Sequence, residues 1–190
     1  GDGASTYDMN QWIFYFNYEA SGCSNPGSSP SYNSLTGATF KANDPTSGSG
    51  GSDFLLVLLN STPPLYYNPY YNGWNRSNSG SPNGVSIHHP AGDIKKISTY
   101  LTSAISSTSW NGLPSHWRVS WSYTTNGRGV VEGGSSGSPL FDNNGRIAGT
   151  LTGGYTYNSC SNPSPAFYGK FWYHWDQNGS ATNRRLKDWL

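Results

Sequence analysis

The chain has 190 residues, with 11 Lys and Arg against 10 Asp and Glu, so its formal charge at neutral pH is only +1. That balance leaves no electrostatic footprint for nucleic acid or an anionic membrane, and no apolar run approaches a membrane span. Charged residues make up 11% of the chain and aromatics 15%, with 8 Trp and 14 Tyr. This composition buries aromatic surface in sheets and exposes neutral polar loops. Together with the single Met, it favours a secreted protein, although nothing at the N-terminus reads as a signal peptide.

In chain order, residues 1–10 form a polar lead-in. From Gln11 to Tyr18 the pattern alternates, with Trp12, Phe14, Phe16 and Tyr18 on one face of an expected strand. Residues 21–34 form a loop carrying Cys23, 35–42 a short strand, and 45–52 a Gly/Ser loop. Asp53-Phe54-Leu55-Leu56-Val57-Leu58-Leu59 is the most apolar run, and its length and flanking turn residues predict a buried strand. Residues 63–74, rich in Pro and Tyr, read as an extended connector, which divides the chain into 1–62 and 63–190.

Further strands are expected at 84–88, 93–100, 117–123, 139–141, 146–151 and 167–175. Asp142-Asn143-Asn144-Gly145 reads as a hairpin turn. Only the tail reads as helix, capped by Ser180 and with Leu186, Trp189 and Leu190 on one face. The expectation is an all-β chain with a C-terminal helix.

One stretch carries chemistry: Glu132-Gly133-Gly134-Ser135-Ser136-Gly137-Ser138-Pro139. Glycines around two hydroxyls let a backbone fold tightly and aim its N–H groups outward, as an oxyanion hole beside a serine nucleophile requires. A plain Gly/Ser surface turn has the same composition, so the string alone leaves both readings open. The Gly-x-Ser-x-Gly elbow of α/β-hydrolases also matches, with Ser135 as nucleophile, but it needs a helix to follow. Here Pro139 and a hairpin follow, which rejects it. Asp53, opening the most apolar strand, suits a carboxylate that orients an imidazolium. The four histidines, His88, His89, His116 and His174, all follow Asp53 and read as structural or solvated. His88 and His89 lack the helical spacing or cysteine cluster of a metal site, and no cofactor is implied. Cys23 and Cys160 allow one disulfide or two free thiols.

Gly134-Ser135-Ser136-Gly137-Ser138-Pro139-Leu140 resembles the nucleophile loop of chymotrypsin-fold serine endopeptidases, and Ser52-Asp53-Phe54-Leu55-Leu56 resembles the segment bearing their triad aspartate. Gly149-Thr150-Leu151-Thr152-Gly153-Gly154 resembles the strand that pairs with substrate backbone. Together with Tyr15-Phe16-Asn17-Tyr18, Gly73-Trp74-Asn75-Arg76, Ile87-His88-His89-Pro90, Tyr168-Gly169-Lys170 and the 185–190 tail, the chain is most similar to bacterial lysyl endopeptidases over nearly its whole length. The resemblance implies two six-stranded antiparallel β-barrels. Residues 1–62 would be the remainder of the first, and 63–190 the connector, second barrel and helix. It implies a serine endopeptidase acting on polypeptides, with Ser136 as nucleophile, Asp53 as orienter, and the N–H groups of Gly134 and Ser136 as oxyanion hole.

The departures from that family are informative. Its catalytic histidine lies in a Thr-Ala-Ala-His-Cys segment preceding the region that resembles Gly1. The expectation is therefore the larger fragment of a nicked or truncated protease, active only with that histidine-bearing segment. In the family the cysteines resembling Cys23 and Cys160 pair with cysteines of that segment. The alternatives are a catalytically inactive protease homologue that binds protein, and a carbohydrate-binding domain suggested by Tyr66, Tyr67, Tyr70, Tyr71 and Trp74. The pocket positions Val130, Thr152, Gly153, Gly154 and Ala166 lack the family's lysine-selective aspartate, whose place Ala166 takes. Thr152 replaces a histidine found in lysyl and glutamate-specific enzymes. These changes imply an apolar or small residue before the scissile bond, not Lys or Glu. Ser135 takes the place of the aspartate that receives the new N-terminal ammonium in animal relatives. The implied setting is extracellular and bacterial.

Overall fold

The computed structural model describes residues 4–44, 50–155 and 158–190; part of the Gly/Ser loop expected over 45–52 lies outside these. The lead-in is not featureless. Helix α1 (Thr6–Gln11) starts at a capping box in which the Asp8 N–H donates to Ser5 Oγ and the Ser5 N–H donates to Asp8 Oδ2. The Ser-x-x-Asp spacing encodes this start, and Met9 anchors the helix by burial.

Strand β1 (Ile13–Phe16) pairs antiparallel with β2 (Asn33–Thr36). Its exposed residues are Ile13 and Tyr15, so the expected face of Phe14 and Phe16 does turn inward. The strand expected over 35–42 is broken at Gly37, whose φ of +86° suits glycine, and becomes the end of β2 and β3 (Ala38–Asn43). Strand β3 pairs with β4 (Leu55–Leu59), the apolar run. Contrary to expectation β4 is not buried: Leu58 is 57% exposed and its neighbours are half-buried. Among the described residues only β3 pairs with it. Composition predicted the strand, but burial depends on what covers it.

The second part carries β5 (Gly84–His88), β6 (Lys96–Tyr100), β7 (Ile105–Ser107), β8 (His116–Val119), β9 (Pro139–Phe141), β10 (Ile147–Gly154) and β11 (Ala166–Lys170). They form one antiparallel sheet in the order β6-β5-β9-β10-β11-β8-β7, seven strands where six were expected. Its two edge strands, β6 and β7, are consecutive in sequence. The link from Tyr100 to Ile105 reaches at most about 18 Å, whereas the edges of a flat seven-stranded sheet would stand about 29 Å apart. The sheet must therefore curl towards closure. Tyr100, Trp117, Val119, Trp121, Leu140, Leu151 and Tyr168 fill its interior.

The expected turn at 142–145 is present, with the Gly145 N–H donating to the Asp142 carbonyl. The Asp142 side chain is buried and accepts from the backbone N–H groups of Asn144 and Arg146, from Asn75 Nδ2 and from Arg146 Nε. Burial opposes its ionisation, but these donors outweigh it and hold the carboxyl below its usual range. Because the Arg146 side chain is half-exposed and three other donors remain, Arg146→Ala should cost no more than about 1 kcal/mol in urea unfolding. Asp142→Ala, which strands buried donors, should cost about 2 kcal/mol or more.

The aromatic run expected as a strand over 167–175 splits. Strand β11 ends at Lys170, and α2 (Phe171–Asp176) takes over. Phe171, His174 and Trp175 recur at helical spacing and pack with Ala42, Phe54 and Leu186 in a second core that joins the two parts of the chain. The C-terminal helix is thus at 171–176 and not in the tail. The residue before the short 3₁₀ turn of the tail (Thr182–Arg184) is Ala181 and not Ser180, with Leu186 buried and Trp189 42% exposed.

Candidate active site

The loop 132–138 is a succession of tight turns. Ser135 N donates to the Glu132 carbonyl and Ser138 N to the Ser135 carbonyl, so the chain reverses twice around Ser136. Gly134 (φ +90°) takes a backbone conformation that strains an L side chain. Of the two adjacent hydroxyls, Ser135 is 1% exposed, whereas Ser136 lies on the surface. Among the described residues no acceptor meets the N–H of Gly134 or Ser136.

Strand β10 ties this loop to the start of β4. Gly137 N donates to the Leu151 carbonyl (2.7 Å), and Leu151 N returns a bond to the Ser138 carbonyl (2.8 Å). One residue earlier, Thr150 Oγ1 donates to the Asp53 carbonyl (3.3 Å). Ser136 and Asp53, 83 positions apart in sequence, are therefore anchored to adjacent residues of one strand. Asp53 is half-buried, and its φ is +57°. The buried Asp44 carboxylate holds that turn: its Oδ2 accepts from the backbone N–H of both Ser52 and Asp53, the latter at 3.0 Å.

Below Asp53 lies a buried network that sequence reasoning did not find. His174 Nδ1 meets Ser52 Oγ (2.7 Å) and its Nε2 meets Thr150 Oγ1 (3.0 Å), while Asn178 Nδ2 donates to Ser52 Oγ. Burial, with His116 nearby, pushes the His174 pKa down to about 3, so the ring is neutral. His116 is equally buried, with Nδ1 on Ser115 Oγ and Nε2 on Thr152 Oγ1 (3.0 Å); burial lowers its pKa to about 4. His88 meets Ser135 and Ser98, and His89 meets the Asp93 carbonyl and stacks on Tyr18. Among the described residues no histidine hydrogen-bonds to Ser136, and no group of three His, Cys, Asp or Glu is placed to hold a metal.

The profile of the lysyl endopeptidase C-terminal domain matches residues 3–170. The chain belongs to the lysyl endopeptidase C-terminal domain family. The lysyl endopeptidase of Pseudomonas aeruginosa is 38% identical over 117 residues, covering 59% of this chain and 23% of that protein. This chain thus spans about a quarter of the curated relative it matches. Among solved structures it is similar to Rv3671c of M. tuberculosis H37Rv. A mutant in its inactive form gives TM-score 0.45 at 17% identity, covering 73% of this chain and 60% of that one. The active form gives 0.43 at 18%, covering 75% and 59%.

Of the residues expected at a specificity pocket, Val130 and Ala166 lie in the hydrophobic core, and Thr152, Gly153 and Gly154 lie on β10. Val130, Val131, Leu151 and Ala166 are buried together. Gly154 pairs with Ala166, and Gly153 pairs with Phe167, across β10 and β11. Trp110 packs against His116 and Phe167, so closely over Gly153 that a Cβ there would lie 2.9 Å from its ring. Thr152 adds one hydroxyl, already engaged by His116. Cys23 and Cys160 are both exposed thiols and are not joined to each other.

Proposed function

We propose that this chain is the larger part of a secreted bacterial serine endopeptidase that cleaves polypeptides through an acyl-enzyme on Ser136. The observation that carries the reading is the convergence on β10, where Leu151 anchors the Ser136 loop and Thr150 anchors Asp53. Ser136 Oγ attacks the peptide carbonyl, and the unengaged N–H groups of Gly134 and Ser136 receive the developing oxyanion. A histidine takes the Ser136 proton and passes it to the leaving amine, with Asp53 holding the ring. That histidine comes from a preceding segment, linked by disulfides to Cys23 and Cys160. The half-exposed leucines of β4 and the two exposed thiols support such a partner.

Val130 and Ala166, at the positions where the pocket is expected, are apolar and buried, which supports an apolar or small residue before the scissile bond. The test is reaction of the protein, together with its histidine-bearing segment, with a fluorophosphonate probe and peptide mapping. Label on Ser136 is expected; no label, or label elsewhere, overturns the assignment. On fluorogenic peptides, leucyl or phenylalanyl substrates should exceed lysyl ones by about 10-fold or more in kcat/KM. A lysyl preference would refute the pocket reading.

The second reading is a non-catalytic homologue that binds protein. It is favoured by the fact that the four histidines present are all engaged elsewhere among the described residues. A purified sample that binds peptide but resists the probe, even with the histidine-bearing segment attached, would select it.

A further inference from the structure

The turn that follows β5 lies against the back of the Ser136 loop. His88, the last residue of β5, is 2% exposed. Its Nδ1 is 2.9 Å from Ser135 Oγ and its Nε2 is 3.0 Å from Ser98 Oγ. Both serines are 1% exposed, so both ring nitrogens meet buried hydroxyls.

The surrounding acceptors fix the order of protons. Ser98 Oγ donates to the Val130 carbonyl (3.3 Å), so towards the ring it accepts, and Nε2 carries the ring proton. In a neutral imidazole Nδ1 is then the acceptor, and the Ser135 hydroxyl donates to it. Ser135 Oγ in turn accepts from the Glu132 N–H (3.3 Å). Burial, with His89 adjacent, pushes the His88 pKa down to about 4, consistent with a neutral ring.

The relay runs from Glu132 N–H through Ser135, His88 and Ser98 to the Val130 carbonyl. It begins and ends on one backbone segment, 130–135, which runs from the core residue Val130 into the Ser136 loop. A second clamp is independent of the ring: Ala91 N donates to the Gly133 carbonyl (2.7 Å). The turn is also in contact with Gly134, where a Cβ would lie 3.3 Å from Ala91 N.

We infer that His88, acting through Ser135 and Ser98, is a positioning residue that holds Gly134 to Ser136 in the geometry needed for acylation. It touches neither substrate nor reacting atoms. Its effect on rate rests on the endopeptidase reading above, whereas the dependence of loop order on His88 does not. A displaced oxyanion donor or nucleophile costs rate far more than binding, because the lost interaction is made in the transition state.

The experiment uses the protein with its histidine-bearing segment attached. It compares Ser135→Ala, Ser98→Ala, His88→Phe, Ser135→Thr and the His88→Phe/Ser135→Ala double variant. The readouts are ester hydrolysis resolved into kcat and KM, and amide hydrogen exchange at 133–137. Ser135→Ala and His88→Phe should each lower kcat by about 10- to 100-fold, with KM within about twofold, and speed exchange at 133–137. The double variant should be no worse than the worse single one, and Ser135→Thr should retain activity, because the relay acts as a unit. Additive losses, unchanged exchange at 133–137, or a rise in KM with kcat intact would overturn the inference. If His88→Phe does not fold, the two hydroxyl deletions decide by the same criteria. Failure of the parent protein to hydrolyse any ester would refute the endopeptidase reading, and exchange alone would then decide the role of His88.

Discussion

Lowering the pH from 7 to 4 is expected to cost this fold several kcal/mol and to bring it to or near unfolding. Three imidazoles are buried in hydrogen-bond networks and shielded from bulk solvent: His88, His116 and His174. Burial holds their pKa values at about 4, 4 and 3. The unfolded chain takes up a proton at each ring near pH 6.5. Between about pH 6.5 and pH 4 the unfolded state therefore binds more protons than the folded one, and stability falls as the pH falls. Each ring contributes at most about 1.4 kcal/mol per pH unit, against a total stability of about 5–15 kcal/mol for a typical domain.

The neighbours modify the size of the effect but not its sign. His89 opposes a charge on His88, and Lys170 opposes one on His116. His116 opposes a charge on His174, while Asp44 favours one on both His116 and His174. Below pH 4 the Asp142 carboxyl, held down by its donors, adds a further loss as it protonates. Urea midpoints measured at half-unit steps from pH 8 to pH 4 check this. A midpoint that stays level from pH 7 to pH 4.5 would contradict it.

What the sequence disclosed, and what it hid, divides along the range of the interaction. The Ser136 loop was legible because glycines, three hydroxyls and a proline within seven residues constrain the backbone locally. The hairpin at 142–145 and the alternation of β1 were legible for the same reason. The role of His88 was not, because its partner Ser135 lies 47 positions away, and a histidine before a turn carries no local mark of what it faces. His174 misled differently. Its neighbours read as an aromatic strand, yet Phe171, His174 and Trp175 also satisfy a helical repeat, and packing against Phe54 and Leu186 decided between them. The exposure of β4 was hidden for a third reason: an apolar run says that a strand should be covered, not that the described chain supplies the cover.

Asp44→Ala is expected to be the most damaging single change near the site, lowering stability by about 2–6 kcal/mol. Asp44 is 1% exposed, and its backbone N–H is already committed to the Phe54 carbonyl (3.0 Å). Its carboxylate satisfies the N–H groups of Ser52 and Asp53, so alanine strands two donors in a largely dry site. Asp53 also sits at φ +57°, a left-handed conformation that Asp tolerates better than most residues but that still costs free energy. Without Asp44 the turn relaxes, Ser52 shifts from His174, and the Asp53 carboxylate leaves the place where it would orient a histidine. Acylation of Ser136 should therefore fall further than the fraction unfolded explains, even at 10 °C. Asp44→Asn keeps an acceptor oxygen for the turn and should recover much of the stability. Because His116 and His174 are already neutral in the folded parent above about pH 5, these two rings should not widen the deficit of the alanine variant between pH 7.5 and pH 5. Thermal and urea midpoints for the three proteins at pH 7.5 and pH 5 distinguish these outcomes. An alanine variant within about 1 kcal/mol of the parent would refute the role assigned to Asp44.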